Sequence, residues 1–222
     1  MIINLYMEME DPQGMRINYK FLNAKTNEVV ATATNNFKEH TTLYYNDKKY
    51  ELVNYPKKME RIILNSKYPL CSNRKWAIGF NVLSDNNNIA SYYHEAVTCG
   101  KRWIFKKNMG LTVIKYNNQP YSLYRVGFAK ENWHYYCLYN NSNKTVGIIK
   151  RLYGQDIRAT LYIEDVSNLL INLIACVEEI IDVANSGDMD TMIDTSAGNY
   201  ISLLEEEKAM FDKTFIERVE QL

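Results

Sequence analysis

Histidine, cysteine and carboxylate side chains are what a chain of this size would use for acid–base, nucleophilic or metal chemistry, and here they are scattered. The three histidines, His40, His94 and His134, form no i, i+2 or i, i+4 pair, so the spacing typical of a zinc site is absent. His94-Glu95 and Trp133-His134 fall at the ends of expected strands and read as ordinary edge or core residues. Cys99-Gly100-Lys101-Arg102 sets a thiol before two cations, which would lower its pKa, but no base stands beside it in the sequence. Gly-x-Ser-x-Gly, the Walker loop and Gly-x-Gly-x-x-Gly are all absent, and nine glycines leave little room for a phosphate cradle. These residues predict neither a catalytic site, nor a metal site, nor a cofactor.

Composition narrows the partners. The 26 basic and 26 acidic residues of the 222-residue chain cancel, so no global field draws it to nucleic acid or to an anionic membrane. The aromatic segments Tyr92-Tyr93, Trp103-Ile-Phe105, Tyr121-Ser-Leu-Tyr124 and Trp133-His-Tyr-Tyr136 lack the interleaved Lys and Arg of a stacking platform, and they read as strand cores. Lys57-Lys58, Lys101-Arg102 and Lys106-Lys107 read as solvated hairpin ends. Cys71, Cys99, Cys137 and Cys176 include no Cys-x-x-Cys pair and are expected to be buried, reduced thiols. The amino-terminal residues are not expected to form a signal peptide. A cytoplasmic protein is expected.

The elements that would position any site are mostly strands. Tyrosine occurs 18 times, and aromatic and β-branched runs alternate with Asn/Asp/Lys/Gly clusters. A unit of strand, polar turn and strand recurs at 17–33, 76–92 and 135–150, with a turn of about four or five residues. Two further hairpins, 43–53 and 111–124, are predicted to turn at Asn46-Asp47 and Asn117-Asn118. Such a meander must curl, split or close to protect its edges. A barrel of more than about eight strands also needs something besides wall side chains inside it.

The apolar run 166–184 is the natural filler. Asp165 is placed to cap its first turn, and Asn185 with Gly187 to stop it. At about 100° per residue, Ser167, Asn168, Asn172, Glu178, Glu179 and Asp182 cover roughly 140° of its surface, so one flank is expected to face water or a polar cavity. Its charged residues and length argue against a membrane span. A helix lying on one open sheet is the competing arrangement.

Residues 185–200 read as a linker. Ser202-Leu-Leu-Glu205 is a capping box that opens an amphipathic helix over 201–221. Its apolar stripe, Leu204, Phe211, Phe215 and Val219, must cover something: the chain's own barrel, a second copy or a partner protein.

The segment from Tyr153 to Ile181, a strand that passes through an acidic residue into a hydrophobic helix, resembles the closing segment of the tubby C-terminal-like superfamily, which includes LURP-one-related and scramblase-like proteins. The repeated strand, Asn-rich turn and strand is similar to the hairpins of that superfamily. The resemblance implies a mainly β fold with α: a closed antiparallel barrel of about twelve strands around a central hydrophobic helix, here in residues 1–184, with the carboxy-terminal amphipathic helix added. Some animal members bind phosphoinositides through clustered Lys and Arg, but no matching cluster is present in this sequence. The resulting expectation is a non-enzymatic binding or protein-interaction module that associates through Leu204, Phe211, Phe215 and Val219. A peripheral lipid or small-ligand binder is the alternative.

Overall fold

The computed structural model describes residues 1–9, 16–36, 41–62, 68–71, 75–99, 107–127, 133–152, 156–182 and 205–222. Twelve antiparallel strands form a closed barrel: β1 (Ile2–Met9), β2 (Arg16–Asn23), β3 (Val29–Asn36), β4 (Thr41–Tyr45), β5 (Lys48–Glu60), β6 (Trp76–Ser84), β7 (Asn87–Cys99), β8 (Lys107–Tyr116), β9 (Gln119–Gly127), β10 (Trp133–Asn140), β11 (Thr145–Leu152) and β12 (Ile157–Tyr162). Each strand pairs with its neighbours in sequence, and β1 closes the ring on β12 from Ile2↔Tyr162 to Tyr6↔Ile157. Leu70 adds a single bridge to Val97.

The hairpins turn where side-chain chemistry permits a left-handed backbone. Asn46 and Asp47 have φ of 50° and 57°, and Asn117 and Asn118 have 48° and 62°. Two consecutive positive φ values make the tight turn whose twist matches the flanking strands, and Asn and Asp tolerate it best. Asp85 and Asn86, at 50° and 62°, form a third such turn. That loop is therefore shorter than the polar run suggests, because Asn87 and Asn88 already belong to β7.

The predicted plug lies inside the ring. Val166–Asn168 form a 3-10 turn, Leu169–Cys176 the α-helix α1, and Val177–Asp182 a π-helical turn. The Asp165 side chain accepts from the Ser167 N–H at 2.9 Å, as the sequence predicts. Residues 183–187, where the stop was expected, lie outside the described residues. Ile171, Leu173, Ile174, Ala175, Cys176 and Val177 are fully buried among strand residues such as Ile3, Phe21, Leu43, Val82 and Leu161. The wall makes room by using small residues, among them Ala31, Ala33, Ala90 and Ala159. Gly147 goes furthest: a Cβ there would lie 1.6 Å from the Asn172 amide oxygen. Asn172 anchors the helix through that gap, its Nδ2 donating to the carbonyls of Val146 (3.2 Å) and Asn168 (2.9 Å).

A second apolar cluster lies on the outer face of the wall. Tyr93, Val97, Met109, Val113, Tyr124, Tyr135, Cys137, Tyr139 and Ile148 meet Met210, Phe215 and Val219 there. The carboxy-terminal region is two pieces, not the one helix over 201–221 that the sequence suggests: α2 (Glu205–Lys208) and α3 (Lys213–Gln221). The break has one tertiary and one local cause. The Tyr139 hydroxyl donates to the Met210 carbonyl at 2.7 Å, and Asp212 becomes a new cap by accepting from the Phe215 N–H at 3.1 Å. Residues 201–204 lie outside the described residues. Among those that are described, no helix is long and apolar enough to cross a membrane.

Candidate functional site

The polar flank of the central helix ends in a cluster at one mouth of the barrel. His94 on β7 and Thr112 on β8 are direct cross-strand partners. They continue the row whose next members, Tyr92 and Ile114, pack into the core around the helix. The π-helical turn supplies Glu178 and Glu179. A π turn is wider than an α turn, so it shifts each side chain after Cys176 around the helix axis, and such turns recur at functional sites.

Four polar groups meet there. His94 Nε2 lies 3.1 Å from Glu178 Oε1, and its Nδ1 lies 3.1 Å from Thr112 Oγ1. The Thr112 hydroxyl donates to Glu179 Oε1 at 2.6 Å. The Glu178 side chain is only 2% exposed whereas that of His94 is 56% exposed, so the cluster runs from the barrel interior to solvent. Gly110, two residues before Thr112 on the same side of β8, leaves open space beside it, since a Cβ there would meet nothing within 4 Å.

A slot in the wall gives His94 its exposure. Pairing of β6 with β7 runs from Ser84↔Asn87 to Phe80↔Tyr92, while Trp76–Gly79 continue to pair with β5 alone. The parted strands border a cleft of about 560 Å³, lined by Lys58, Arg61, Lys75, Trp76 and Ile78 with His94 and Glu95. Arg61 and Glu95 form an ion pair across it. Lys58 and Lys75 are exposed, and the Lys75 ammonium sits 5.3 Å from the Trp76 ring centre. Trp76 (48% exposed) and Ile78 (66%) are among the few large apolar side chains in water.

Three more basic residues gather on β9, β10 and β11, with His134 and Arg151 buried and Arg125 half-buried. His134 and Arg151 are cross-strand partners on β10 and β11, and Arg125 Nη2 lies 3.5 Å from His134 Nε2. Burial, reinforced by Arg125 and Arg151, pushes the His134 pKa down to about 3, so its ring is neutral and can accept from Arg125. Arg151 also acts on Cys176, the last residue of α1.

The predicted site residues are placed as follows. Phe215 and Val219 are buried against the chain's own wall, and Phe211 is half-buried with its ring centre 4.3 Å from that of Tyr135. Arg218 Nε reaches Glu164 Oε1 at 3.0 Å and ties α3 to the strand–helix junction. The anchors expected to meet a partner therefore cover the barrel itself; Leu204 lies outside the described residues. None of the four cysteines is in a disulfide, but Cys71, beside the Leu70–Val97 bridge, is exposed, contrary to the expectation of burial. Cys99 is buried, and burial pushes the Cys137 and Cys176 thiols well up. Gly100 to Lys106, with their basic residues, lie outside the described residues, as do the side chains of Lys57 and Lys107. Reading the sequence found the polar flank but missed its meeting with His94 and Thr112, which depends on the β7–β8 register and the π turn. No family model, no curated protein and no solved structure matches the chain.

Proposed function

We propose that the protein is a non-enzymatic binding module whose binding end is the polar mouth formed by His94, Thr112, Glu178 and Glu179, and that its ligand is small and charged. One observation carries this reading: beside the end of the chain's own helix, buried polar groups converge at this mouth and open through a slot to solvent. Binding sites usually combine an apolar frame with a few convergent polar groups. A kinship with the tubby C-terminal-like superfamily belongs to the same reading, supported by the twelve-strand closed barrel and its central helix. The test is a thermal-shift comparison of wild type, His94→Ala and Glu179→Gln against divalent cations, nucleotides and inositol phosphates. A ligand at 100 times its Kd stabilises the fold by about 2.7 kcal/mol. A shift present in wild type and absent from both variants supports the reading; identical responses in all three proteins refute it.

A second reading, peripheral lipid contact, is favoured by the exposed Trp76 and Ile78 beside Lys58 and Lys75. Apolar anchors flanked by cations suit an anionic bilayer surface. Wild type should then co-sediment with anionic vesicles at low salt, and Trp76→Ala with Lys75→Glu should not. Absence of wild-type sedimentation removes this reading.

A further inference from the structure

We propose that the mouth binds one divalent transition-metal ion through His94 Nε2 and the carboxylates of Glu178 and Glu179, with Thr112 as the outer support. This rests on the mouth being the ligand-binding end and names its ligand.

The hydrogen-bond polarity of the cluster leads to the ion. The Thr112 hydroxyl has one hydrogen, which it donates to Glu179. The contact between Thr112 and His94 Nδ1 must therefore run the other way, with Nδ1–H as donor. That fixes the tautomer of a neutral imidazole and leaves Nε2 with its lone pair aimed at Glu178 Oε1, 3.1 Å away. Two lone pairs at that distance repel unless a proton or a metal ion lies between them.

The donor set says which metals fit. One ligand atom from each of His94, Glu178 and Glu179 lies within 4.8 Å of the other two. Metal bonds of about 2.0–2.2 Å require donors somewhat over 3 Å apart, so modest side-chain rotation closes the site. One imidazole and two carboxylates suit Zn²⁺, Co²⁺ or Ni²⁺, whereas Ca²⁺ and Mg²⁺ prefer oxygen ligands throughout. The Nδ1–H to Thr112 bond is the orienting contact that metal-bound histidines habitually make. The slot beside His94 supplies an entry path and room for a water as fourth ligand. His94 is distant in sequence from the adjacent Glu178 and Glu179, so the absence of a spaced ligand motif does not bear on a site assembled by the fold.

The experiment uses the full chain, stripped with a chelator and dialysed. Zn²⁺ is titrated by calorimetry, and Co²⁺ is followed by its visible d–d absorption. One equivalent should bind, with an absorption spectrum of low coordination number. His94→Ala and Glu179→Gln should each weaken binding by about tenfold or more, while His40→Ala leaves it unchanged. Both substituted side chains are at least partly exposed, so circular dichroism of the metal-free variants should match wild type. No heat and no Co²⁺ spectrum, or binding undiminished in His94→Ala, overturns the proposal. If metals fail but another ligand shifts the melting of wild type and not of His94→Ala, the metal assignment falls and the mouth remains the binding end. If no probe separates wild type from His94→Ala, both fall.

Discussion

The contact between Gly147 and Asn172 makes the placement of the central helix open to a mutational test. A methyl group at 147 would sit 1.6 Å from Asn172 Oδ1, 2.4 Å from its Cγ and 2.7 Å from its Nδ2, so Asn172 must leave its rotamer. Doing so breaks the bonds to the Val146 and Asn168 carbonyls, at about 1 kcal/mol each. Overpacking adds about 1–3 kcal/mol, and the stiffer unfolded chain returns about 0.4–1 kcal/mol. Gly147→Ala should thus cost about 2–4 kcal/mol, or about 5–15 °C in Tm for a domain of this size. Asn172→Ala alone loses the same two bonds, together with a buried amide oxygen that has no hydrogen-bond partner. In the double variant the new methyl occupies vacated space, so its cost should fall well short of the sum of the singles. Chemical denaturation of the four proteins gives the coupling energy, expected at about 2 kcal/mol. A near-neutral Gly147→Ala, or strictly additive costs, would refute the idea that the helix is pressed against β11 inside the ring.

Further outcomes follow from the outer wall and the buried bases. Phe215→Ala should remove an anchor whose loss is worth about 3–5 kcal/mol in a packed core, seen as rapid hydrogen exchange over 213–221. Unchanged protection there would mean that Phe215 does not hold α3 to the wall. Acid should destabilise the protein through His134, whose pKa is about 3 when folded against an ordinary 6.5. Below the ordinary value the unfolded chain takes up a proton that the fold resists, so stability declines as pH falls through that window by about 1.4 kcal/mol per unit. Urea midpoints at successive pH values should show this slope in wild type and a shallower one in His134→Gln; equal slopes would contradict it.

How much of this could be read from the residues depends on the range of the interaction. The turns at Asn46-Asp47 and Asn117-Asn118 are legible because a positive φ is a local demand that Asn and Asp meet. The plug is legible because an apolar run with only a narrow polar flank has no stable place on a surface. The single helix over 201–221 does not form, because the Tyr139 hydroxyl engages the Met210 carbonyl and Asp212 caps a new helix; the capping box at Ser202 lies outside the described residues. Whether Phe215 and Val219 cover the barrel or a partner is undecided in the sequence, since a stripe records that it needs cover and not what provides it. The mouth is the hardest part: Glu178 and Glu179 are visible as polar positions, but only the β7–β8 register and the π turn bring His94 and Thr112 to them.

Thiol labelling of the native protein, read by mass spectrometry, tests the central placement most directly. Cys71 is exposed, whereas Cys176 is fully buried between the helix and the wall. Cys71 should be modified at once, and Cys176 only at the rate of global unfolding, with the same denaturant dependence. Labelling of Cys176 at a rate close to that of Cys71 under native conditions would place its helix outside the barrel.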